Sequence, residues 1–215
     1  RKLSTEFGQG TAAITKGLFD LLSANFSLVD SFKILRSSSQ LAVVGFTDVD
    51  KATKPVVSIL QAYHLSAADA ERVTIALFRA QQQARTDVEG FASGIGKLLP
   101  TIATLRVDFR DVGAALGVLT HTGVTFNQAV TQLERALLSV AAPGERTRKW
   151  MEALGKETGR GNIEIKRFDD GTVDLVKTME QFKGIPLDVL TRIVPRVEGA
   201  RAIQTFANNI DQLTT

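Results

Sequence analysis

Residues 86–108 read TDVEGFASGIGKLLPTIATLRVD. Val88, Phe91, Ile95, Leu98, Ile102 and Leu105 step by three and four, which places them on one face of an α-helix. Thr86 opens the stretch with Glu89 three residues on, the pattern of a capping box, and Asp108 with Asp111 opens the next. The same signal recurs outward in both directions, as Ser27 with Asp30, Thr47 with Asp50, Ser66 with Asp69, and Thr125 with Gln128. These starts are spaced by 20, 19, 20, 22 and 17 residues, so the chain repeats one helix plus one turn. A start recurring so regularly predicts an all-α fold of stacked antiparallel helical hairpins.

The segments between the starts carry the same one-faced stripe. Phe126, Val130, Leu133, Leu137 and Val140 form one, and Val49, Ala52, Val56, Leu60 and Tyr63 nearly another. A shared core accounts for these rows better than a cofactor or lipid groove. Gly45 and Gly123 follow apolar helix ends and read as left-handed stops. Pro100 predicts a kink, and Pro55 predicts that its helix begins near Thr53.

Composition excludes several chemistries. With 215 residues and 44% hydrophobic content the chain can bury a sizeable core, while zero cysteines leave no thiolate or cysteine-ligated metal site. Two histidines, His64 and His121, are too few for a three-histidine zinc site, so no metal and no cofactor is expected. No window approaches a membrane span, and no charged stretch precedes an apolar run at Arg1, so no signal peptide is expected. The net charge of +3 is unevenly spread. Arg146, Arg148, Lys149, Lys156, Arg160, Lys166 and Arg167 outnumber the four acids between Glu145 and Arg167.

That basic stretch begins where the cadence of starts ends. Pro143 and Gly144 break the helix, a charged helix follows to about Leu154, and Gly155, Gly159 and Gly161 mark a connection. Ile163, Ile165 and Arg167 alternate with Glu164, Lys166 and Phe168 ahead of Asp169-Asp170-Gly171, which leaves room for a short β element near residues 163–170. Three regions are expected: a helical-hairpin core over 1–142, a basic connection over 143–171, and C-terminal helices over 172–215 that pack on the core. Thr172 is the expected cap of the first of these helices, and the last runs to about Leu213.

Catalysis is not expected. Glu89, Asp108 and Asp111 are the carboxylates from which a glycosidase pair would be drawn, but capping accounts for all three. His64 and His121 each follow a helix end where an imidazole covers terminal carbonyls. Arg146, Arg148, Lys149 and Trp150 are the candidate partner contact. DNA binding through the basic cluster is the less favoured reading, since only Trp150 and Phe168 are interleaved as aromatic platforms.

The order of several stretches resembles the core region of phage tail tape measure proteins, the phage-related minor tail protein family. They are Leu41-Ala42-Val43-Val44-Gly45 with Thr47, the helix ending at Tyr63-His64-Leu65-Ser66, and the run through Ala70, Glu71, Arg72 and Val73. Gly123-Val124 leading through Ala129, Leu133 and Leu137 to Ala142-Pro143 follows, then Trp150 to Gly155, then Phe168-Asp169-Asp170-Gly171. The resemblance covers the chain from Ser27 to Val176. It implies a structural virion protein in the tail lumen or at the tail tip, present in the host cytoplasm during assembly. Tail assembly, tail-length determination and genome ejection are the implied roles. The implied partners are further copies of itself, three or six, and tail tube or tail tip proteins, with no small-molecule substrate. A scaffold of a contractile injection or gene transfer particle, a helical-repeat binding module, and a wall-degrading enzyme domain are the alternatives.

Overall fold

The computed structural model describes residues 2–194 and 196–210. Among them the chain forms twelve α-helices: α1 (Lys2–Phe7), α2 (Thr11–Ser23), α3 (Leu28–Val44), α4 (Val49–Ala62), α5 (Ala70–Gln83), α6 (Val88–Leu105), α7 (Phe109–His121), α8 (Phe126–Ala141), α9 (Glu145–Glu157), α10 (Leu175–Glu180), α11 (Leu187–Ile193) and α12 (Val197–Asn208). A 3-10 turn, Ala67–Asp69, leads into α5. The fold is all-α, as the periodicity predicts. The end expected near Leu213 lies outside the described residues.

The chain divides into two compact units, Arg1–Leu99 and Pro100–Thr215, so the division falls inside α6. The boundaries expected at 142/143 and 171/172 both lie within the second unit. In the first unit α3 packs against α1, α2, α4 and α5. It buries Ile34, Leu35, Leu41 and Ala42 together with Ser31, Ser37, Ser38 and Ser39. The Ser39 hydroxyl donates to Leu35 O at 2.7 Å, whereas the Ser31 and Ser38 hydroxyls have no hydrogen-bond partner. In the second unit α12 is central, touching α7, α8, α10 and α11, and α9 packs on α11.

One joint connects helix to helix from α2 to α8. Each helix ends on a residue with positive φ: Asn25 (65°), Phe46 (51°), His64 (53°), Arg85 (51°), Arg106 (56°) and Gly123 (89°). In five of these joints the next amide bonds back to a carbonyl five residues earlier, closing the helix in the manner of a Schellman motif. Phe26 N donates to Leu21 O at 3.2 Å, Thr47 N to Ala42 O at 3.0 Å, Leu65 N to Leu60 O at 2.8 Å, Thr86 N to Gln81 O at 3.4 Å, and Val107 N to Ile102 O at 2.9 Å. The residue after that begins the following helical turn: Ser27, Asp48, Ser66, Asp87, Asp108 or Thr125. A left-handed residue, a closing residue and a start therefore repeat as a triplet.

Four of the six starts lie where the sequence predicts. Ser27 Oγ accepts from Asp30 N at 3.1 Å and Asp108 Oδ1 from Arg110 N at 2.8 Å. Ser66 with Asp69 and Thr125 with Gln128 form capping boxes. The other two move by one residue. The cap of α4 is Asp48, while Thr47 Oγ1 donates to Glu89 Oε1 at 2.9 Å. Ahead of α6 it is Asp87 Oδ1, not Thr86, that accepts from the Gly90 amide, at 2.6 Å. In both cases the threonine occupies the closing position, where its own amide is already committed to the preceding helix.

Gly45 also differs from expectation. Its φ is −91°, and the left-handed residue is Phe46 beside it. Gly45 is required instead by a close approach, because a Cβ there would collide with Val88 at the start of α6. Gly123 is left-handed. Pro55 lies inside α4, which is one helix from Val49 rather than a turn followed by a helix starting near Thr53. Thr53 Oγ1 donates to Val49 O at 2.7 Å in its first turns.

No strand forms among the described residues. The β element is reduced to isolated bridges, Arg167 with Val173 antiparallel and Val107 with Val173 parallel. Gly171, at φ 81°, permits the tight reversal between them, and Gly171 N donates to Phe168 O at 2.9 Å. The segment before it finds side chains in place of a partner strand. Gln181 exchanges hydrogen bonds with Glu164 N (3.2 Å) and Glu164 O (2.8 Å), and Thr178 Oγ1 accepts from Lys166 N at 3.0 Å. Asp174, not Thr172, caps α10, accepting from Lys177 N at 2.9 Å.

A non-glycine residue at positive φ carries a Cβ penalty of about 1–2 kcal/mol. Arg85→Gly is therefore expected to raise unfolding stability by about 0.5–1 kcal/mol, and the β-branched Arg85→Val to lower it. Gly45→Ala should cost about 1–3 kcal/mol through overpacking against Val88. Urea unfolding midpoints measure all three, and a destabilised Arg85→Gly would refute the joint geometry.

Candidate functional site

The basic helix expected after Pro143 is α9, and Gly144 precedes it without a side-chain cap. Met151 and Leu154 are buried and hold the helix to its unit, and Thr147 Oγ1 donates to Ile193 O at 3.1 Å. The opposite side faces solvent. Glu145, Arg146, Lys149 and Trp150 line a surface cavity of about 560 Å³. Lys149 Nζ lies 3.0 Å from Glu145 Oε1, an exposed pair of consecutive turns. Three of the four expected contact residues therefore meet at one place, while Arg148 is exposed and does not line the cavity.

Sequence reasoning missed Arg192. Its guanidinium lies 5.9 Å from the centre of the Trp150 ring, close enough for a cation–π contact. The partly exposed indole of α9 thus lies beside Arg192 of α11, with Arg146 and Lys149 lining the same cavity. The remaining basic residues are engaged locally: Lys156 with Glu152 at 2.7 Å, Lys166 with Glu164 at 2.9 Å, Arg160 Nη1 with Gln181 O at 2.8 Å, and Arg167 Nη1 with Gly171 O at 2.8 Å. Phe168 lies under the Lys177 ammonium, 5.8 Å from ring centre.

The histidines occupy helix ends. His64 is the left-handed residue after α4, and His121 Nδ1 lies 2.7 Å from Gly117 O in the last turn of α7. Among the described residues no group of three or more acids and histidines is placed to hold a metal. Glu89 accepts from Thr47 and from Lys51 Nζ, each at 2.9 Å, and these contacts hold its carboxyl below its ordinary range. Asp108 caps α7 and pairs with Arg110 Nη2 at 2.7 Å.

Asp111 has a different task. Its Oδ2 accepts from Leu175 N at 3.2 Å, and Val173 N donates to Arg106 O at 2.7 Å, so the joint before α7 staples down the chain entering α10. Burial, with the negative charges of Asp108 and Asp174, pushes the Asp111 carboxyl up to about 6. A carboxyl near that value suits a general acid, but its oxygen is already committed to a backbone amide. A native carboxyl titrating near 6, against 3.8 unfolded, binds more protons in the folded state between those values. Stability is therefore expected to fall as pH rises from about 4 to about 6. Asp111→Asn, which keeps an acceptor for Leu175, should remove that slope and raise the melting temperature at neutral pH. An unchanged pH profile of thermal unfolding would refute the assignment.

A family model described as phage-related minor tail protein matches residues 1–207. A probable tape measure protein of Clostridium phage phiCD119 is 24% identical over 187 residues, covering 85% of this chain and 20% of that protein. The tape measure protein of Pneumococcus phage Dp-1 is 26% identical over 151 residues, covering 70% of this chain and 13% of that protein. The chain thus spans a fifth or less of the length of these relatives. No solved structure matches it. With nearly all of its length matched by the family model, this all-α chain belongs to the phage-related minor tail protein family.

Proposed function

We propose that this chain is a folded segment of a tail tape measure protein, acting in tail assembly, length determination and genome ejection. The observation that carries this reading is the coincidence of the family match over residues 1–207 with a chain whose helices are interrupted at six joints. A tape measure works by extension, and 215 residues in one continuous helix would reach about 320 Å at 1.5 Å per residue. Helices of 13 to 18 residues, such as α2, α6, α7 and α8, each reach only about 20–27 Å. The segment accordingly serves as a folded anchor or end piece of the ruler rather than as its measuring length.

In this reading the chain has no enzymatic role and resides in the virion tail, in the lumen or at the tip, after assembly in the host cytoplasm. The α9 face around Trp150 contacts tail tube or tail tip protein. It belongs to the basic connection, 143–171, between the helical core, 1–142, and the C-terminal helices, 172–215. Three or six copies associate. The test is deletion of this segment from the phage gene that encodes it, followed by electron microscopy of the particles. Failure of tail assembly, or tails with defective ends, is the expected outcome. Functional tails shortened by about 320 Å would show that the segment is measured as extended helix and would overturn the proposal.

A further inference from the structure

The α2–α3 hairpin leaves large apolar side chains in solvent. Phe19 is 67% exposed and Leu22 43% on α2, and Leu28 is 56%, Val29 67% and Phe32 48% exposed on α3. The two helices pack together and are joined by only Ala24 to Ser27. Antiparallel neighbours on so short a turn come level at equal distances from it, which sets Leu22 level with Val29 and Phe19 level with Phe32. The inward residues Gly17, Leu21, Ile34 and Leu35 are buried, so the hairpin is apolar on both sides. A helix apolar beyond its core stripe has a second surface to cover.

We propose that this outward face pairs with the same face of a second copy of the chain. The proposal rests on the self-association read above and assigns it a surface. Area supports a second copy as the occupant. A phenylalanine buries 150–250 Å² when fully covered, so at these exposures the five side chains offer on the order of 500 Å². A stable dimer buries about 800 Å² per partner, about 60% of it apolar, which is close to the same figure. Charge agrees. Lys16 lies 2.6 Å from Asp50 of α4, Lys33 3.0 Å from Asp30 and Arg36 2.6 Å from Glu6 of α1, so each cation of the hairpin is already paired. A face with balanced charge does not repel its own copy and does not select a nucleic acid or an acidic partner. The contact is two-fold, so by itself it builds pairs.

The experiment is analytical ultracentrifugation of the 215-residue chain across micromolar to hundreds of micromolar concentration. The variants are Phe19→Ser/Phe32→Ser, Val29→Lys alone, and Phe46→Ser as a control. Phe46 is 97% exposed at the far end of α3 and lies outside the hairpin face. Wild type and Phe46→Ser are expected to pair, with the dissociation constant raised at least tenfold in the other two. Circular dichroism reports whether each variant is folded, and Val29→Lys carries the test if the double variant is not. An assembly unaffected by these substitutions, or weakened equally by Phe46→Ser, overturns the surface and leaves self-association standing. A wild-type chain that stays monomeric at every concentration overturns both.

Discussion

From α2 to α7 every helix stops in the left-handed conformation and the next helical turn starts two residues later, and the structure depends on that recurring joint. The positive-φ residue turns the chain, the next amide returns to the helix just ended, and the following residue begins the next helical turn. With no spare residue in the triplet, consecutive helices leave each joint in a narrow range of directions. Short connections of this kind favour antiparallel neighbours. The packing of α3 on α2 and α4, and of α7 on α8, follows from this geometry.

Only one of the six turning residues is glycine. The other five, Asn25, Phe46, His64, Arg85 and Arg106, are exposed, and this explains both their tolerance and their invisibility in the sequence. A side chain that projects into water meets no steric limit beyond its own backbone, so composition carries no mark of the turn. The starts were legible because a hydroxyl or carboxylate must accept the orphan amides of a helix. They were misplaced at Thr47 and Thr86, where threonine precedes aspartate and both residues suit the pattern. Gly45 was recognised as structural for the wrong reason, since its lack of a side chain admits Val88 rather than a left-handed turn.

The second unit was less legible because its order comes from distant partners. The bridge at Val173 and the Asp111 contact with Leu175 join segments some sixty residues apart, which no local pattern encodes. The alternation of residues 163 to 168 is real, yet Thr178 and Gln181 take the place of the neighbouring strand. Around Trp150 the local cluster was readable from α9 alone, whereas the guanidinium that covers the indole comes from α11.

The four buried serines of α3 have a consequence for how the chain is made. Beside Ile34, Leu35, Leu41 and Ala42 this helix buries four hydroxyls, so its burial depends on the cover that α1, α2, α4 and α5 supply. The last of these ends at Gln83, 39 residues beyond Val44. At about 5–20 residues per second, a ribosome leaves α3 incompletely covered for roughly 2–8 seconds. During that interval the nascent chain is open to chaperones and to neighbouring nascent copies, so translation speed through α4 and α5 bears on the yield of folded protein.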